Sequence, residues 1–131
     1  MRSRRAAGAV LPLAVALAGL AGACSSDSSA SSAGKAPFTL ADKPVAADHV
    51  DLPKSYQFAP RVIEVKRGAT VTWTNHDDFP HTVQILAGAD AGTHDLGIGR
   101  TVTITFDQPG TVYYHCSLHP AQMKGEVVVT P

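Results

Sequence analysis

The chain has 131 residues, 44% of them hydrophobic, with 11 basic side chains balancing 11 acidic ones, a size and composition that fit one modest domain. No basic run or basic helix face occurs, which excludes nucleic acid and anionic headgroups as partners recognised through charge. With only two cysteines, a disulfide framework is excluded as soon as either thiol has another task.

In chain order, the first feature is an export leader over residues 1–23. Met1 to Arg5 is basic, Ala6 to Ala21 is apolar, and Gly22-Ala23 are small. The apolar run is short against the roughly 20 residues that span a bilayer. Leu20-Ala21-Gly22-Ala23-Cys24 resembles a bacterial lipobox, which would make Cys24 the lipidated new N-terminus. Ordinary cleavage would instead leave an unpaired extracellular thiol. Ser3-Arg4-Arg5 approaches the twin-arginine pattern, but Ala6-Ala7 lack its bulky apolar residue, so the export route stays open. Without the leader's three arginines, eight basic residues face 11 acidic ones, and the mature chain is mildly acidic. After Cys24, residues up to 36 are nearly all Ser, Ala and Gly, a flexible linker with a reach of about 20 Å. A folded domain is expected over residues 37–131.

Within that domain the pattern is all strand. The stretch from Phe38 to Phe58, broken by Pro44 and Pro53, predicts one or two edge strands. Val62 to Lys66 alternates, Arg67-Gly68-Ala69 turns, and Thr70 to Thr74 alternates again with Val71 and Trp73 on one face; this reads as a hairpin. Thr82 to Leu86 is the next strand, followed by a glycine-rich loop from Gly88 to Gly99 and a strand from Thr101 to Phe106. Asp107-Gln108-Pro109-Gly110 is a turn, Thr111 to Cys116 a strand, and Gly125 to Thr130 the closing strand. Short strands with Gly and Pro turns and no helical periodicity predict an all-β Greek-key sandwich or barrel.

The chemistry concentrates in Tyr113-Tyr114-His115-Cys116-Ser117-Leu118-His119-Pro120-Ala121-Gln122-Met123, which puts a Cys, a His and a Met on one loop. With His81 these supply two imidazoles, a thiolate and a weak thioether, the donors of a blue copper site. If Cys24 carries lipid, Cys116 has no disulfide partner, and a free thiol outside the cytoplasm calls for a metal or burial. Once Met1 leaves with the leader, Met123 is the remaining thioether. Taken singly, each residue has an ordinary reading: Cys116 as a small hydrophobe, a histidine as a surface group, Met123 as core filler.

Joined by Phe58-Ala59-Pro60, Gly68 to Asn75, Phe79-Pro80-His81-Thr82-Val83 and Met123 to Val129, the pattern resembles the cupredoxin family of type 1 copper proteins, in the style of plastocyanin, pseudoazurin and amicyanin. The resemblance implies one copper ion held by His81, Cys116, His119 and, as weak axial ligand, Met123. It implies one-electron transfer through an apolar patch around the second histidine, here Phe79, Pro80, Leu118, Pro120 and Ala121. Three residues separate His119 from Met123, where pseudoazurin and plastocyanin have four and amicyanin two, which leaves the axial geometry and potential open. Thr82 stands where plastocyanin and amicyanin commonly have Asn, and Asn75, Thr82 and Ser117 are candidates to tie the loops together.

His115 should point away from Cys116 to the opposite sheet face. His49, His76 and His94 should face solvent, and neither a His-x-His pair nor a His-Cys-His run is present, which argues against a multicopper oxidase. No nucleophile with a base, carboxylate pair or phosphate loop accompanies the site. The leading expectation is a monomeric, lipid-tethered electron carrier, not an enzyme, at the outer face of a bacterial membrane, exchanging electrons with transient redox protein partners. Alternatives are an extracytoplasmic copper buffer or delivery protein and an accessory subunit of a larger redox complex; zinc could also occupy such a site.

Overall fold

The computed structural model describes residues 35–131, so the leader, Cys24 and most of the linker lie outside the described residues. The described chain is all strand: β1 (Val45–Ala46), β2 (His49–Leu52), β3 (Val62–Lys66), β4 (Ala69–Asn75), β5 (His81–Ile85), β6 (Gly92–Leu96), β7 (Thr101–Phe106), β8 (Gly110–His115) and β9 (Lys124–Thr130). They form a six-stranded sheet in the order β1-β3-β9-β8-β5-β6 facing a three-stranded sheet β2-β4-β7. This is the expected all-β sandwich, with β1 and β2 as the edge strands foreseen before Phe58.

Period-two alternation builds the core. Val71 and Trp73 on β4 and Gly125, Val127 and Val129 on β9 turn inward while their neighbours stay partly exposed. Tyr114 is fully buried, with ring centroids 4.8 Å from Phe58 and 5.4 Å from Trp73. Each such side chain contributes about 1.5–3 kcal/mol by leaving water.

The hairpin expected across Arg67-Gly68 is not one. β3 pairs in parallel with β9, and β4 pairs antiparallel with β7 and parallel with β2. The turn is a corner between sheets: Arg67 N–H donates to Thr130 O at 2.7 Å and Gly68 N–H to Phe106 O at 2.7 Å, one bond into each sheet. Gly68 has φ +82°, a conformation glycine adopts without steric cost. The glycine-rich loop also holds a strand, β6, paired with β5 from His81↔Leu96 to Ile85↔Gly92.

Before β1, the chain lies against the six-stranded sheet. Phe38 packs edge-on to Tyr113 at 5.3 Å beneath Lys124 Nζ, Leu40 N–H donates to Glu126 Oε1, and Asp42 pairs with Arg61. The β2–β3 and β4–β5 connections, the start of β5 and the β8–β9 loop all gather at one end of the sandwich.

Candidate metal centre

His81 begins β5 directly after Pro80, so its backbone is already held by pairing with Leu96. Cys116 follows β8, and its N–H donates to Met123 O at 3.0 Å across the loop mouth. Inside the loop, His119 N–H donates to Cys116 O at 3.1 Å and Met123 N–H to His119 O at 2.9 Å. These bonds wind residues 116–123 into consecutive tight turns, and Met123 is fully buried in the same core cluster as Cys116.

The ligand atoms of His81, Cys116 and His119 lie within 4.8 Å of one another. Cys116 Sγ is 3.8 Å from Nδ1 of His81 and 3.8 Å from Nδ1 of His119. Donors bonded at about 2.3 Å and about 2.0 Å to one ion, and about 120° apart, stand about 3.7 Å from each other. The donor set therefore fits a trigonal His₂Cys ion, an arrangement suited to copper.

Each loop is held from behind. His81 Nε2 lies 3.0 Å from Oδ2 of Asp77, a carboxylate only 4% exposed, which leaves Nδ1 to face the sulfur. The His81 imidazole, by this hydrogen bond, holds the Asp77 carboxyl below the usual carboxylate range. Asp77 was not singled out by sequence; the available signal was a carboxylate four residues before His81. Asn75, fully buried, donates through Nδ2 to Phe79 O at 2.8 Å and Leu96 O at 3.1 Å, and its Oδ1 accepts from Asp77 N–H at 2.8 Å. Thr82 joins the two ligand loops: its N–H points at Cys116 Sγ at 3.4 Å, and its Oγ1 accepts from Ser117 N–H at 2.8 Å and lies 2.8 Å from Ser117 Oγ.

The expected docking residues are exposed, Phe79 at 51% and Leu118 at 56%, with Pro80, Pro120 and Ala121 also open to solvent. His119 is half-buried beside them. Tyr56, missed by sequence reasoning, joins this group: its ring stacks on Phe79 at 5.8 Å and meets His119 edge-on at 4.9 Å.

The remaining histidines stay apart from Cys116 Sγ. His115 turns to the other sheet face and bonds Gln84 Oε1 at 2.6 Å; burial, and then the Lys124 charge, hold its imidazole below the ordinary histidine range. His49 and His76 are exposed as expected, yet both reach Oδ1 of Asp51, at 2.9 and 3.0 Å. Burial tends to raise the Asp51 carboxyl, but these two imidazoles outweigh it and leave it lowered. His94 sits half-buried on β6.

Residues 48–130 match the family described as copper binding proteins, plastocyanin/azurin family. The chain is 36% identical over 99 residues to amicyanin of Paracoccus denitrificans, covering 72% of this chain and 74% of that protein. It is 39% identical over 83 residues to the chloroplastic plastocyanin of Tetradesmus obliquus, covering 55% and 57%. Among solved structures, a purple cupredoxin from Nitrosopumilus maritimus superimposes with a TM-score of 0.59 at 27% identity, covering 64% of this chain and all of that one.

Proposed function

Since the chain belongs to the plastocyanin/azurin family of copper binding proteins, and is a type 1 copper protein of cupredoxin fold, we propose that His81, Cys116 and His119 hold one copper ion with Met123 as the weak axial donor. The observation that carries this reading is the pair of 3.8 Å separations between the buried Cys116 sulfur and two imidazole nitrogens, one from His119 on its own loop and one from His81, 35 residues before the cysteine.

Bound copper supplies a one-electron couple between Cu(II) and Cu(I). The protein's part is to hold the donors still. Asp77 fixes His81, Thr82 and Ser117 fix the Cys116 loop, and Asn75 fixes the approach to His81. Little then has to rearrange when the charge changes. Burial of Cys116 keeps the sulfur from solvent and other thiols. His119, half-exposed among Phe79, Pro80, Leu118, Pro120 and Ala121, is the natural exit, and an apolar rim suits brief docking of a redox protein. The reading is of a monomeric carrier, not an enzyme, because four protein donors leave no position for a substrate. Retention by a set in which His81, Cys116 and Met123 are buried also favours electron transfer over copper exchange.

We further propose that residues 1–23 are removed, that Cys24 carries lipid, and that residues 24–36 tether the domain of residues 37–131 to the outer face of a bacterial membrane. Adding Cu(II) to the purified protein should give an intense visible thiolate-to-copper band that bleaches on reduction and is absent in Cys116→Ser. A stoichiometric but colourless complex would overturn the type 1 assignment. Cys24→Ser should move the protein from the membrane to the soluble fraction; membrane retention would overturn the lipid anchor.

A further inference from the structure

The two ligand histidines are supported unequally. His81 has a buried carboxylate on Nε2, whereas among the described residues the His119 ring has no hydrogen-bond partner beyond its contact with Cys116 Sγ. What touches the His119 ring instead is Tyr56. The tyrosine meets His119 edge-on at 4.9 Å and 69°, meets His81 edge-on at 5.9 Å and 87°, and stacks on Phe79 at 5.8 Å and 25°.

Tyr56 reaches this position through an unfavourable backbone. Its φ is +51°, which makes it the only non-glycine residue at positive φ among the described residues. For a bulky side chain this conformation is an outlier that persists only where the surroundings impose it. Here they do: Asp51 and Ala59 exchange two backbone hydrogen bonds of 2.8 Å, Phe58 is buried in the core, and Lys54 pairs with Asp78 at 2.7 Å. The loop is fixed on both sides of Tyr56, and its ring is aimed at the ligand pair while remaining 39% exposed.

We infer that Tyr56 is the positioning residue of His119, doing with a ring edge what Asp77 does for His81 with a carboxylate. The inference rests on the copper assignment above. Its ring limits the tilt of the His119 imidazole and keeps water from that side of the site. An apolar cover favours the less charged Cu(I), so removing it should lower the reduction potential as well as loosen the metal.

Tyr56→Gly and Tyr56→Phe separate this role from a merely structural one. Glycine adopts φ +51° without strain, so the metal-free glycine variant should unfold near the wild-type temperature despite losing the ring. Loaded with one Cu(II) and challenged with excess chelator, it should release copper about tenfold faster than wild type, with a lower potential and altered copper hyperfine splitting. Tyr56→Phe should retain wild-type values. A glycine variant matching wild type in release rate and potential overturns the inference, as does a phenylalanine variant behaving like glycine, which would assign the effect to the hydroxyl. If wild type itself forms no coloured copper complex, the copper assignment falls and this inference with it; a coloured wild type with an indifferent glycine variant overturns the inference alone.

Discussion

Asp77 carries a burial cost that only its partners offset: a carboxylate 4% exposed, held by the His81 ring and by the N–H of Asp78 at 2.7 Å. Asp77→Asn keeps an acceptor for His81 but removes the charge that makes the imidazole a better donor. Copper affinity should fall about tenfold in competition with a chelator, and the reduction potential should rise, since less negative charge faces Cu(II). His115 gives a second residue-scale test. Its folded pKa is depressed by burial, so below the unfolded value of about 6.5 the unfolded chain binds a proton that the folded one refuses. Stability should therefore fall as pH drops from about 7 to about 5, and more steeply in wild type than in His115→Gln, as followed by thermal midpoints of the metal-free protein. Equal slopes would remove His115 from the account. Asp51 and Asp77, both lowered, add their own losses only in more acid solution, as pH falls through their folded values.

At the level of elements, β8 and β9 depend on one absent side chain. Gly125 pairs with Tyr114, and a Cβ there would stand 2.2 Å from Tyr114 Cζ and 2.4 Å from its hydroxyl. Phe58 and Trp73 close the other sides of that ring, so it has nowhere to move. Gly125→Ala should cost about 1–3 kcal/mol or more and lower the melting midpoint by about 5–20 °C. A midpoint within a degree of wild type would show that the ring can yield. The strands themselves were largely legible in the sequence, because alternation is a local property that Val62 to Lys66 and Thr101 to Phe106 display plainly. Their partners were not. Arg67-Gly68 reads equally well as a hairpin and as a corner, and what decides is the acceptors, Thr130 O and Phe106 O, supplied by strands far along the chain. β6 escaped notice because Gly92–Leu96 is a polar edge strand with one buried residue, Leu96. The same limit applies at the candidate metal centre: His81, Cys116, His119 and Met123 stand out by their donor chemistry, whereas Tyr56 reaches the site because β2 runs parallel to β4 and delivers the next loop to its mouth.

For the whole molecule, a metal that bridges β5 to the β8–β9 loop binds only where both are folded. At a free copper concentration about 100 times the dissociation constant, binding should add about 2.7 kcal/mol and raise the midpoint by about 10–20 °C, a gain that Cys116→Ser should lose. Absence of any copper-dependent shift in wild type would mean that the ion does not join the two loops.

β9 lies between β3 and β8, in parallel with one and antiparallel to the other. Its pairing with β3 closes Val62 onto Glu126, a contact between residues 64 apart in the chain. Pairings this distant form slowly, on the order of milliseconds to seconds for sandwich topologies. Until β8 pairs with β5 and Ser117 N–H reaches Thr82 Oγ1, the loop carrying Cys116 is not anchored beside His81. During that interval Cys116 is an ordinary accessible thiol, and the chain is more vulnerable to oxidation on its way to the fold than at any time after reaching it.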